Sequence, residues 1–173
     1  AAEAGADAVK FQTFRASSLV LEAAPKARYQ EESTGRGSQW EMLRRLELGE
    51  SAFEEIETCC REAGILFLSS AFDEQGIDFL ERMGAAAFKL GSGELTNDAL
   101  LRYAARKGKP MILSTGMSTL EEVEEAVRIV SESGSGEIVL LHCVSCYPAR
   151  PVDANLRAMA TLRRDFDVPV GFY

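Results

Sequence analysis

The chain has 173 residues, 46% of them hydrophobic and 27% charged, which suits one domain with a substantial core. Its net charge of −8 argues against nucleic acid or an anionic membrane surface as the main partner, but not against a small anionic ligand held by two or three local lysines. No apolar run approaches the roughly 20 residues of a membrane helix, and no signal peptide opens the sequence.

Ala1–Asp7 read as the tail of a helix and a turn, so the sequence opens in mid-fold. Ala8–Phe14 is the first strand candidate, and alternation puts Lys10 and Gln12 on one face of it. Arg15–Glu50 is polar, holds Gly35 and Gly37, and is long for a connection. It is either a loop that closes over substrate or a disordered segment. Ser51-Ala52-Phe53-Glu54 has the form of a capping box and predicts a helix to about Glu62, stopped by Gly64. Cys59 and Cys60 are neighbours on that helix, a poor arrangement for a disulfide framework.

Leu66–Ser70 is the second strand candidate. Asp73 caps a helix through Met83, with Gly84 after it, and Ala86–Leu90 is the third strand. Thr96 or Asn97 caps Asp98–Lys107, closed by Gly108 and Pro110, and Met111–Ser114 is the fourth strand. Thr119-Leu120-Glu121-Glu122 is a second capping box, followed by Leu120, Val123, Val127 and Val130 on one helical face. The run Glu121, Glu122, Glu124 and Glu125 reads as a solvated face with a favourable helix dipole. Ile138–Val144 and Val168–Phe172 complete six strands. Cys143-Val144-Ser145-Cys146 has the spacing of a redox or zinc half-site, but no second pair accompanies it. Ordinary reduced cysteines of a cytoplasmic protein are the better reading.

These short, near-continuous apolar strands alternate with helices, which predicts a parallel sheet of right-handed βαβ units. An open doubly wound sheet and most of an eight-stranded barrel both fit that count. Gly91-Ser92-Gly93 lacks the third glycine of a dinucleotide fingerprint. The functional-looking residues lie at the C-terminal ends of several successive strands, which favours the barrel. The expected fold class is therefore α/β, a (β/α)8 TIM barrel of which residues 1–173 form a partial domain with about six of eight units.

A lysine inside an apolar strand costs several kcal/mol unless it has a partner. For one lysine a buried carboxylate would be sufficient reason. Lys10 and Lys89, on separate strands and both near C-terminal ends, point instead to a shared anion. Ser92 and Ser114, followed by Gly93 and by Thr115-Gly116, add hydroxyl and backbone donors. Glu94 is the nearest carboxylate and a candidate general acid or base, or else the partner of a lysine or of the next helix's N-terminus. If Ser145 and Tyr147 look into the site, alternation turns His142 toward the helices as a structural histidine.

Ala6-Asp7-Ala8-Val9-Lys10-Phe11-Gln12-Thr13, Phe88-Lys89-Leu90-Gly91-Ser92-Gly93-Glu94, Ile112-Leu113-Ser114-Thr115-Gly116-Met117 and Leu141-His142-Cys143-Val144-Ser145-Cys146-Tyr147-Pro148 together resemble the sialic acid synthase family, in order and over the whole chain. The resemblance implies a TIM barrel that condenses phosphoenolpyruvate with an N-acetylated amino sugar, N-acetylmannosamine or a relative, and releases phosphate. It places Lys10, Lys89, Ser92 and Ser114 at phosphoenolpyruvate, with Ser145 where some members carry an asparagine that reaches the phosphate. Glu94 matches the active-site glutamate, Tyr147 a substrate-contacting tyrosine, and Gln12 goes with the sugar. Ser69-Ser70-Ala71-Phe72-Asp73 departs from the usual Ser-Thr-Pro-Phe-Asp. The family's divalent metal, manganese or magnesium, is held by two histidines expected beyond Tyr173, so no metal ligand is assigned here. A preceding strand and a small antifreeze-like domain, which completes the site across a homodimer, are also expected outside the chain. Another phosphoenolpyruvate-dependent 2-keto sugar acid synthase and a non-catalytic fragment are the alternatives.

Overall fold

The computed structural model describes residues 1–146 and 148–173; Tyr147 lies outside the described residues. The chain forms two compact units, Ala1–Phe67 and Leu68–Tyr173.

In the first unit a short 3-10 turn, Ala2–Ala4, leads into β1 (Ala8–Thr13). The segment between β1 and the next long helix is structured. It contains α1 (Ala16–Leu19), α2 (Arg28–Thr34) and α3 (Gln39–Arg44). Each is too short to hold itself, and cross-links do the work. Lys26 Nζ donates to Thr34 Oγ1 (3.0 Å) and to the Gly35 carbonyl (2.8 Å). Gln39 N–H donates to the Ala24 carbonyl, Ala16 N–H donates to the Glu47 carboxylate, and Ser38 caps α3 through Glu41 N–H. The disordered reading of this stretch is thereby corrected. α4 spans Glu50–Glu62, so its N-cap lies two residues before the expected capping-box residue Ser51. Gly49 is the N-cap and no side chain closes the end. The start of β2 (Leu66–Ala71) runs beside β1, where Leu66 N–H donates to the Asp7 carbonyl and Phe67 stacks on Phe11 at 5.8 Å.

The second unit holds the rest of β2, then α5 (Glu74–Arg82), β3 (Phe88–Leu90), α6 (Asp98–Ala105), β4 (Met111–Ser114), α7 (Leu120–Ser133), β5 (Ile138–His142), α8 (Ala158–Asp165) and β6 (Val170–Phe172). Asp73 caps α5 through Gly76 N–H (2.7 Å), Asn97 caps α6 through Leu100 N–H, and Thr119 and Glu122 form the expected reciprocal box on α7. β3, β5 and β6 are shorter than expected because their flanking residues leave the ladder.

Neighbouring strands pair parallel in chain order, β2–β3–β4–β5–β6. A doubly wound sheet reverses its order at a switch point, whereas a barrel winds in one direction; the observed order is the barrel's. One face carries Ala71, Phe88, Leu90, Met111, Leu113, Ile138 and Leu140, all buried. Val123, Ala126, Ile129 and Val130 of α7 and Leu100, Leu101 and Ala104 of α6 supply the buried helix stripes. The α5 and α6 helices are tied by Lys107, which reaches Asp78 (2.7 Å) and Glu81 (2.8 Å), while Tyr103 donates to Asp78 (2.7 Å).

The opposite face carries Ser70, Lys89, Ile112 and Val139 in one register row, with Ser114, Leu141 and Gly171 in the next. Three strand spacings separate β3 from β6, about 14 Å along a flat sheet. Yet Lys89 Nζ lies 5.4 Å from the Tyr173 ring centre, just after β6. The sheet therefore curls, and this face is its concave side.

Candidate active site

Lys89 is the centre of the concave face. Phe88 and Leu90 point to the buried opposite face and anchor the strand, which forces the lysine inward. It is only 4% exposed, and its Nζ donates to the Leu90 carbonyl at 2.9 Å. The Tyr173 ring faces the ammonium, and Tyr173 N–H is held by the His142 carbonyl.

On the neighbouring strand Ser114 projects from the same face, 3% exposed. Its Oγ is buried and makes no hydrogen bond with any described residue. A buried hydroxyl in that state calls for an explanation, since leaving it unsatisfied costs about 1–3 kcal/mol. A ligand atom arriving from the concave side is the simplest one.

Beyond β3 the chain turns through Ser92–Glu94, closed by Glu94 N–H on the Gly91 carbonyl and anchored by buried Leu95. Ser92 and Glu94 are half-buried. Glu94 Oε2 accepts from Asn97 Nδ2 at 3.1 Å, so the carboxylate is tied to the residue that caps α6. Beyond β4, Thr115 N–H (3.0 Å) and Oγ1 (3.2 Å) both donate to the Leu141 carbonyl, which Cys143 Sγ also approaches at 3.2 Å. Ser145 Oγ donates to the Gly116 carbonyl at 2.8 Å.

The second unit thus gathers Lys89 and Ser114 on one concave face, with Ser92 and Glu94 on the turn directly following β3 and Ser145 on the turn following β5. Lys10 and Gln12 belong to the first unit, where both lie on the same face of β1, Lys10 half-buried and Gln12 exposed. The expectation for Tyr147 falls on the residue outside the described set. Ser70, 3% exposed and in register beside Lys89, was not singled out from the sequence, although alternation from Lys89's strand neighbours could have placed it. The Tyr173 ring was missed altogether.

His142 turns away from the concave face, as alternation requires. Its Nε2 lies 2.7 Å from the Ala154 carbonyl and its ring 5.8 Å from Phe172. With Thr115, Gly116, Asn155 and Arg157 it lines a cavity of about 410 Å³ whose other walls are Val123 of α7 and Leu162 of α8, on the helix side. Among the described residues no group of three His, Cys, Asp or Glu side chains could hold a metal ion. All four cysteines are free thiols, and burial pushes the Cys60 thiol up. Among the described residues no helix is long and apolar enough to cross a membrane.

This chain resembles known proteins over its full length. It is 47% identical to the N,N'-diacetyllegionaminic acid synthase of Legionella pneumophila, covering 99% of this chain and 50% of that one. It is 34% identical to the pseudaminic acid synthase of Campylobacter jejuni, again covering 99% of this chain and 50% of the relative. The crystal structure of an N-acetylneuraminic acid synthetase from Leptospira borgpetersenii superposes with a TM-score of 0.82 at 32% identity, covering 99% of this chain and 55% of that one. The chain spans about half the length of the curated relatives it matches. The family model that matches does so from residue 1 to residue 173, through every strand that carries the site, and the chain belongs to the NeuB family.

Proposed function

We propose that this chain supplies the phosphoenolpyruvate-binding part of a synthase that joins phosphoenolpyruvate to an N-acetylated amino sugar, giving a nonulosonic acid and phosphate. The observation that carries the proposal is the pair on the concave face: the buried Lys89 ammonium and, on the adjacent parallel strand, the buried Ser114 hydroxyl, which makes no hydrogen bond with any described residue.

In this reading Lys89 and Ser114 take the phosphate, with Ser92 contributing from the turn after β3 and Ser145 supporting the site from the turn after β5. Lys10 of the first unit is assigned to the phosphate on the family resemblance alone. Charge-assisted bonds of this kind contribute roughly 1.5–3 kcal/mol each. The bound enol presents C3 to the open-chain sugar aldehyde. A carbon–carbon bond forms at C3, water adds at C2, and the tetrahedral intermediate expels phosphate as the 2-keto group forms. Glu94 is assigned to move a proton during these steps, and Gln12 and Tyr147 to the sugar.

The residues described here do not fit a manganese or magnesium centre. Hard cations take several oxygen ligands at close range, and no cluster of three His, Cys, Asp or Glu side chains occurs among the described residues, while His142 is occupied on the helix side. We assign to this chain the anion-binding chemistry alone. The relatives' names divide between legionaminic, pseudaminic and neuraminic acids, so the sugar is left at its class, an N-acetylated amino sugar.

Isothermal titration of the purified chain with phosphoenolpyruvate tests this reading. Saturable binding that Lys89→Met weakens at least tenfold supports it. Absence of binding by the parent chain, or binding indifferent to Lys89, overturns it.

A further inference from the structure

We infer that Ser145 acts on the anion indirectly, as half of a clasp with Gly116 that fixes the β4 and β5 turns against each other. The inference rests on the phosphate-site reading above and specifies how one of its members works.

Space, not backbone conformation, explains the glycine. Gly116 does not have a positive φ. A Cβ built on it would stand 3.0 Å from both Cβ and the carbonyl oxygen of Cys143 and 3.2 Å from its carbonyl carbon. Those are backbone-fixed atoms that cannot swing aside. A comparably close approach at Gly171 meets the far end of the Leu141 side chain, which can rotate away. So the turn after β4 is pressed directly on the backbone of the turn after β5.

Three hydrogen bonds hold that contact in place. Thr115 donates twice to the Leu141 carbonyl, and Ser145 Oγ donates to the Gly116 carbonyl. A serine hydroxyl has one proton, and here it is committed to Gly116. It therefore cannot also be donated to a phosphate oxygen without breaking the clasp. What Ser145 contributes is the position of the β4 turn, and with it of Ser114, two residues before Gly116. An asparagine at this position carries two N–H donors, enough to keep the Gly116 bond and reach an anion as well.

The test is a double-mutant cycle on the 173-residue chain, read by phosphoenolpyruvate titration and by thermal unfolding. Gly116→Ala and Ser145→Ala should each weaken binding about tenfold, and the double variant should be no weaker than either alone, because both remove the same clasp. The melting midpoints should show the same non-additivity without ligand. Ser145→Asn should bind at least as tightly as the parent. Gly136→Ala, where a Cβ meets nothing within 4 Å, is the control and should leave affinity unchanged. Losses that multiply to about a hundredfold in the double variant overturn the clasp, as does a Gly116→Ala chain with parental affinity. If Gly116→Ala fails to fold, Ser145→Asn against Ser145→Ala decides: equal weakening by both overturns the clasp. Failure of the parent chain to bind removes the phosphate-site reading, and this role with it. Binding by the parent with multiplicative losses removes the clasp alone.

Discussion

The Lys89 ammonium and the Tyr173 ring meet at 5.4 Å although their strands are separated by β4 and β5. That contact reports the curl of the sheet and defines the lysine's surroundings: a ring on one side and the Leu90 carbonyl on the other. Both orient the ammonium on the concave face. Replacing Tyr173 by leucine removes the ring's electrostatic hold, about 0.5–2 kcal/mol for a cation over an aromatic face. We expect Tyr173→Leu to weaken phosphoenolpyruvate binding by roughly two- to thirtyfold while leaving the circular dichroism spectrum unchanged. A titration showing unaltered affinity would remove Tyr173 from the site.

Ser114 allows stability and binding to be separated. Its Oγ is buried and makes no hydrogen bond with any described residue, so the hydroxyl carries a desolvation cost in the ligand-free chain. Ser114→Ala should therefore be neutral or raise stability by about 1 kcal/mol, where an ordinary core substitution lowers it. The same change should weaken phosphoenolpyruvate binding about tenfold. A urea melt and a titration on one preparation check both halves. Marked destabilisation would mean that Ser114 serves the fold and not a ligand.

The parts of this architecture legible in the sequence are those set by local chemistry. A lysine between Phe88 and Leu90 is conspicuous because alternation leaves it no polar side to escape to. The caps at Asp73, Asn97 and Thr119 were readable because each bonds an amide three residues on. The start of α4 was not, since Gly49 caps without a side chain and Ser51 offered a false signal. The helices of residues 16–44 are too short to show a period, and they are held by Lys26 and Glu47 across the segment. Within the site, Ser70, Tyr173 and the approach of Gly116 to Cys143 depend on register and curvature, which no local pattern encodes.

Binding and turnover should also separate. The residues proposed to bind the anion include Lys89 and Ser114 of the second unit, but no metal-ligand cluster occurs among the described residues, and the chain spans about half its relatives' length. We expect the 173-residue chain to bind phosphoenolpyruvate and to release no phosphate when N-acetylmannosamine and manganese are added. A phosphate assay at high protein concentration measures this directly. Metal-dependent release at a rate proportional to the chain would show that the proposed division between binding and chemistry is wrong.

The link between α5 and α6 gives the acid response of the fold a direction. Hydrogen bonds from Lys107 and then Tyr103 hold the Asp78 carboxyl below its ordinary value. A group whose pKa is lowered by folding binds fewer protons in the native state than in the unfolded one. Its contribution is present above the unfolded value, about 3.9 for aspartate, and is lost as pH falls through the lowered folded value. Between about pH 5 and pH 2 the parent chain should therefore lose stability more steeply than Asp78→Asn, whose side chain does not titrate. At neutral pH the variant should be the less stable of the two, since Lys107 keeps Glu81 but loses its ion pair with residue 78. High salt should narrow that neutral-pH gap, because the Asp78 side chain is 41% exposed and screened by counterions. Urea midpoints measured across this range at two ionic strengths decide the matter: parallel pH profiles for parent and variant would mean that Asp78 carries no folding-linked proton.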